Sequence, residues 1–230
     1  MTGVRAAKSP CRLFVIPARV RPIALILRRG PSAWYHLIRW DTVKDTFEHG
    51  AWFRGRIYEE RCDLSPDGEL FLYFALQGRR WRTSYKGAWT AVSRAPWLHA
   101  LTLWPQNHTW GGGGRFVDDR KVALWTCDLT THADHPLVGL EVASGSPSPP
   151  DCDLRAKEWS GRDQAGNVIY SREGRLFREV VGQHSTDVVE IADFNALAPD
   201  PQPAPAWARK ALSPLRTPKR RRGGKARAKR

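Results

Sequence analysis

No apolar run in this sequence approaches the ~18 residues of a membrane-spanning helix. The runs at residues 13–17 and 23–27 are short and broken by Pro and Arg. They do not form the apolar core of a secretion signal behind the basic first twelve residues. The expectation is a cytoplasmic protein with no membrane partner. Cysteine occurs only four times, as Cys11, Cys62, Cys127 and Cys152, widely spaced and with no Cys-x-x-Cys. That spacing suits reduced thiols rather than a disulfide framework. A helical period of 3.6 never persists over three turns. Gly-x-Ser-x-Gly is missing, which removes the nucleophile elbow. No Lys-Ser/Thr follows the glycines at 111–114, which removes the phosphate-binding loop that motif would close. Acidic residues are absent beyond Asp200.

That last absence explains the charge. The net charge is +14 over 230 residues, but residues 201–230 hold eleven Lys or Arg and no acid, so the first 200 carry only +3. The sequence therefore divides into a loose leader (1–11), a nearly neutral domain (12–195) with a Pro/Ser-rich loop (129–153) inside it, and a Pro-rich, then basic, disordered tail (196–230). The tail ends in Lys219, Arg220, Arg221, Arg222, Lys225, Arg227, Lys229 and Arg230 among nothing larger than Ala. Such a segment cannot offset the entropy of ordering, and it attracts polyanions without sequence preference. Its bland alternative is a solubilising extension.

Aromatics are abundant: 11 Trp, 8 Phe and 5 Tyr. Nine of the Trp lie between Trp34 and Trp125, which locates the core. Short runs end in turn residues, as strands do. In Trp34-Tyr35-His36-Leu37-Ile38-Arg39-Trp40, alternation assigns Trp34, His36, Ile38 and Trp40 to one face and Tyr35, Leu37 and Arg39 to the other. Ser65-Pro66-Asp67-Gly68 is a β-turn signature. The run after it, residues 70–76, is apolar on both faces and reads as a central strand of a layered structure. The fold class expected is all-β: antiparallel meanders, propeller-like or sandwich-like. The one helix candidate is short, at residues 206–212.

The unit Cys62-Asp63-Leu64-Ser65-Pro66-Asp67-Gly68-Glu69-Leu70-Phe71-Leu72-Tyr73 resembles the turn-then-strand step of β-propeller repeats of the WD40-like and TolB-like kind. Looser echoes occur at residues 116–125 and 162–170, with turns about 50 residues apart, near a blade length. The chain also resembles a group of bacterial proteins with a segment like Trp52-Phe53-Arg54-Gly55-Arg56-Ile57-Tyr58 ahead of this turn. Neither resemblance implies an activity.

Five groups of residues could carry chemistry. Cys127, His132, His135 and Cys152, with Asp134, have zinc-ligand chemistry, though Cys-x4-His-x2-His fits no standard pattern. Gly111–Gly114, between Trp110 and Arg115, reads as a flexible hairpin connection. Asp41, Asp45, Glu48, Glu59, Glu60 and Asp63 lie near aromatics, the ingredients of glycoside hydrolysis only where two carboxylates face each other. Arg79, Arg80, Trp81, Arg82 and Lys86, with Tyr85, combine cations with rings, as single-stranded nucleic-acid surfaces do; the alternative is a solvated loop. The tail is the fifth. No catalytic residue and no cofactor is assigned. The expectation is a non-enzymatic module that binds a protein partner, with a tail that attracts nucleic acid or another polyanion. A hydrolytic enzyme on the same scaffold and a nucleic-acid-associated protein are the alternatives. The last requires the basic loop and the tail on one side.

Overall fold

The computed structural model describes residues 10–80, 82–126, 128–143, 159–181 and 186–215. Its regular structure is almost entirely β, arranged as four sheets taken in chain order. The first is the antiparallel meander β1 (Arg12–Pro17), β2 (Ile23–Arg29), β3 (Trp34–Asp41) and β4 (Thr46–Arg54). The second contains β5 (Arg56–Ile57), β6 (Asp63–Leu64), β7 (Leu70–Leu76), β8 (Ala88–Arg94) and β9 (Thr102–Gln106), with β5 and β6 both paired to β7. The third is small: β10 (Gly114–Phe116), β11 (Lys121–Leu124) and β12 (Glu141–Val142), the last pairing parallel to β11. The fourth is the meander β13 (Ser160–Arg162), β14 (Val168–Arg172), β15 (Arg175–Val181) and β16 (Thr186–Asp193).

Period-two alternation decides how these sheets stack. In β3, Tyr35 and Leu37 enter a core shared with Phe71, Tyr73, Ala75 and Ala91 of the second sheet. Ile38 and Trp40 face the other way, onto Ile169, Leu176 and Phe194. Strand β7 does the same one layer on: its odd residues meet the first sheet, while Leu70 and Leu72 meet Phe116, Val122 and Leu124 of the third. The layers therefore run fourth, first, second, third, and strands β2, β3, β7 and β8 of the two central sheets are buried on both faces. Trp40 and Trp104 are fully buried, each removing ~150–250 Å² from water.

The Ser65–Gly68 turn sets the β6–β7 hairpin. Gly68 N–H donates to Ser65 O at 2.8 Å, and Gly68 adopts φ +76°, which a side chain resists. The buried Ser65 Oγ donates to Asp67 Oδ1 at 2.6 Å and accepts from Leu70 N at 2.8 Å. Between the fourth and first sheets, Arg178 holds Asp45 through two contacts of 2.8 and 2.9 Å and lies over the Trp40 ring.

The chain beyond residue 195 remains part of the packed body as far as Leu212. Helix α1 (Ala206–Arg209) places Ala208 at 0% exposure, and Leu212 is buried beside Leu140. The domain edge drawn at 195 from composition thus falls inside the packed chain, because Ala208 and Leu212 anchor a proline-rich strap whose composition reads as linker. Likewise β12 lies within residues 129–153. Among the described residues no helix is long and apolar enough to cross a membrane.

Candidate anion-binding cleft

Chain geometry at Gly55 builds a basic cavity. Strand β4 ends in the first sheet at Arg54, and one residue later β5 begins in the second. The switch requires glycine: a Cβ on Gly55 would stand 2.6 Å from the Phe53 ring and 2.8 Å from Leu76 O. Gly55 N–H donates to Ala33 O at 2.9 Å, and Gln77 Nε2 donates to Arg54 O at 2.7 Å. Arg54 and Arg56 thus flank the crossing, beside the end of β7. There the chain turns through a 3-10 segment at Gly78–Arg80.

The result is a cleft of about 720 Å³ lined by Arg29, Arg54, Arg56, Arg79 and Arg80, with Tyr35, Leu76 and Gln77 among its walls. Arg29 lies over the Tyr35 ring at 5.8 Å. Arg56 pairs with Glu59 at 3.4 Å and lies over Tyr58. Among the described residues Arg29, Arg54, Arg79 and Arg80 have no carboxylate within ion-pair distance. Glu59, the acid beside the cleft, is engaged twice: its Oε1 is 3.0 Å from Tyr35 Oη and its Oε2 meets Arg56. Burial, and then the Glu59 charge, push the Tyr35 phenol well up, so it stays neutral. Concentrated, exposed or half-exposed guanidiniums can donate bidentately to phosphate, sulfate or carboxylate oxygens.

The residues expected from sequence separate here. Arg79 and Arg80 line the cleft; Arg82 and Lys86 are exposed on the next turn and do not. Trp81 lies outside the described residues. Tyr85, grouped with these cations in the sequence, turns away and stacks on His132 at 4.9 Å and 6° between planes. His132 and His135 have their rings 5.6 Å apart beside Tyr85, and the turn carrying them is fixed to β9 by His132 N–H to Leu103 O at 2.8 Å. Cys127 and Cys152 lie outside the described residues, and among those described no three His, Cys, Asp or Glu side chains converge as an ion site would need. Gly112–Gly114 are buried rather than flexible: Gly112 N–H meets Trp125 O and Gly113 N–H meets Thr90 Oγ1, so neither donor faces an outside anion. The candidate acids are occupied by structure. Asp41 caps its own turn at Val43 and Lys44, Asp45 holds Arg178 and Trp40, Glu48 faces Arg39, and Asp63 holds Arg19 and Phe116 N–H. The basic tail residues Lys219, Arg220, Arg221, Arg222, Lys225, Arg227, Lys229 and Arg230 lie outside the described residues.

Arg29, Arg54 and Arg56 were not singled out in the sequence. The available signal was Arg54-Gly55-Arg56, a glycine between two cations where one strand run meets the next.

The chain matches no known family model, no curated protein and no solved structure. The reading of the cleft therefore stands on its geometry.

Proposed function

We propose that the protein is a non-enzymatic binding module whose cleft between the first and second sheets receives a polyanion through its arginines. The observation that carries this reading is the set Arg29, Arg54, Arg79 and Arg80, drawn from three separate segments to one cavity without a carboxylate partner among the described residues. Like charges so placed repel each other, and an anionic ligand relieves that cost. The hydrolytic alternative needs two carboxylates across a cleft; Glu59, beside this one, is held by Tyr35 and Arg56. The basic tail supplies a second, non-specific attraction. The strap that precedes it is tied by Arg94 Nη2 to Lys210 O at 3.3 Å, and Arg94 pairs with Leu70. The chain thus reaches residue 215 nearer the Leu70 end of β7, and the cleft is at the Leu76 end.

The experiment is retention of the full chain on heparin across a salt series, with an Arg54→Glu/Arg79→Glu double variant and a chain ending at residue 215. The double variant is expected to lose tenfold or more in affinity, and its salt dependence becomes shallower by about one unit of log–log slope per lost contact. Truncation removes an additive, non-specific share. Unchanged affinity in the double variant sinks the cleft as the binding site.

A further inference from the structure

Past the cleft along β7, Arg56 of its lining leads to an aromatic cluster. Leu76 lines the cleft, and Phe74, two residues back, lies on the same face. Phe74 stacks on Tyr58 with ring centres 4.9 Å apart. Tyr58 has a guanidinium on either side in sequence: Arg56, a cleft residue, at 5.4 Å and Arg61 at 5.6 Å. Arg61 then fastens the next loop, its Nη1 donating to Thr109 O at 3.0 Å and Gly111 O at 3.3 Å. Between those two carbonyls sits Trp110, whose exposure of 88% exceeds that of every other large hydrophobic residue described. No ring or cation contacts its indole among the described residues.

Trp110 is exposed on a fixed base. Gly113, at φ +85°, lies so close to Arg61 that a Cβ would stand 2.2 Å from Arg61 O. A Cβ on Gly112 would meet the Phe74 ring at 2.4 Å. Gly113 N–H is spent on Thr90 Oγ1 at 2.8 Å. The glycines thus bring the loop down onto the Tyr58–Phe74–Arg61 cluster, which meets the cleft through Arg56, and Trp110 projects from it. An exposed indole on a loop fastened by Arg61 offers a π-face to a ligand whose anionic groups occupy the cleft arginines. Nucleic acid in single-stranded form presents both groups at short repeat; duplex conceals its base faces, and a sulfated polysaccharide has none.

We infer that the ligand of the cleft is single-stranded nucleic acid, with phosphates on Arg29, Arg54, Arg79 and Arg80 and a base stacked on Trp110. This rests on the reading of the cleft as a polyanion site. Stacking on an indole does not distinguish one base from another, so recognition at Trp110 is tolerant of sequence.

The test uses the full chain with three probes: an oligothymidylate of about 15 nucleotides, a blunt DNA hairpin duplex, and heparin. Trp110→Ala is expected to weaken oligothymidylate binding about tenfold, the scale of one stacked base. Heparin and duplex affinities stay unchanged, and Trp110→Phe restores most of the loss. Because Trp110 is exposed, the melting temperature of both variants should match the wild type, which separates stacking from misfolding. Equal effects on oligothymidylate and heparin, or no effect on either, overturn the inference. If Arg54→Glu/Arg79→Glu weakens all three probes while Trp110→Ala weakens none, the cleft survives as a polyanion site and single-strand recognition falls. If the charge reversal changes nothing, the cleft itself falls.

Discussion

The two ends of β7 handle charge in opposite ways. At the Leu70 end, cations and anions meet in pairs: Arg19 with Asp63 at 3.1 Å, Arg39 with Glu69 at 3.0 Å, and Lys121 with Glu141 at 2.5 Å on the adjoining third sheet. Polar atoms there serve the turn, as Ser65 and Asp67 do. At the Leu76 end, five arginines line a cavity, and Arg56 alone of them has an ion-pair partner among the described residues, Glu59. The strand between them is buried along most of its length, so the difference cannot come from the scaffold. It comes from what faces solvent at each end. Adjacent residues of β2 repeat the lesson. Arg28 is 2% exposed and donates to the carbonyls of Gly30, Phe194 and Leu197, which makes it a fastener for the C-terminal strap. Arg29, one residue on and facing the other way, lines the cleft with only an aromatic face beneath it.

If the Leu70 end is the structural one, its core should be costly to empty. Trp104→Ala beneath Leu70 and Leu72 is expected to lose about 3–5 kcal/mol in urea unfolding, because the indole is fully buried among Val92, Phe116 and Leu140. Heparin retention of the folded fraction should not change. A loss below about 1 kcal/mol would mean that the second and third sheets do not share this core.

Behind the cleft, on the reverse face of the first sheet, a histidine stack sharpens the contrast between sealed and open groups. His36 is 2% exposed, stacks on Trp52 at 4.2 Å, and places Nε2 2.9 Å from His49 Nδ1. Its Nδ1 lies 3.3 Å from Ala51 O, so a neutral His36 that donates there has Nε2 free to accept from His49. Burial lowers its pKa to about 4, and the charges of His49 and Arg28 push the same way, while the Ala51 carbonyl opposes them. The folded state thus binds this proton later than the unfolded chain does. Stability from His36 is complete above about pH 6.5 and is lost as pH falls toward 4, by up to ~3 kcal/mol. His36→Phe should flatten the decline in melting temperature between those limits. An undiminished slope in the variant would place the acid sensitivity elsewhere.

Ser65→Ala probes the matched end with a smaller change. Removing Oγ leaves the Leu70 N–H without its 2.8 Å acceptor in a fully buried site. An unsatisfied buried donor costs about 1–3 kcal/mol. Thermal unfolding measures it, and Ser65→Thr, which keeps the hydroxyl, should lose less unless its methyl clashes. Equal losses in the two would show that space, not the hydrogen bond, matters there.

Much of this contrast was legible in the sequence at one end only. Ser65-Pro66-Asp67-Gly68 and the doubly apolar run after it announce a turn and a central strand by local rules alone, and the alternation in Trp34–Asp41 sorts that strand's faces. The all-β class follows from the same local signals. The cleft is different. Arg54 and Arg56 read as solvated strand ends until Gly55 carries the chain from one sheet to the next and sets them beside Arg79 and Arg80. Tyr85 shows the reverse failure. Its neighbours in sequence are cations, but His132, 47 positions later, stacks on its ring. Trp110 seemed merely to flank a glycine run, because nothing local says that those glycines are pressed onto Phe74 and Arg61. Charges and rings that act together here are distant in sequence, and only tertiary contacts assemble them.

The smallest stability effect is expected where binding changes most. Arg54 and Arg79 are exposed and have no ion-pair partner among the described residues. Replacing both with Ser removes no described salt bridge and relieves repulsion among the cleft guanidiniums, so unfolding free energy should shift by less than about 0.5 kcal/mol. Any shift should be toward higher stability at low salt and should fade as salt screens the remaining charges. Ser is the informative replacement, since Glu would add new attractions to Arg29 and Arg56 and hide the relief. Denaturant titration at two ionic strengths measures the effect. A loss of more than 1 kcal/mol would show these arginines bracing the sheet crossing at Gly55, and the two ends of β7 would then differ in degree rather than in kind.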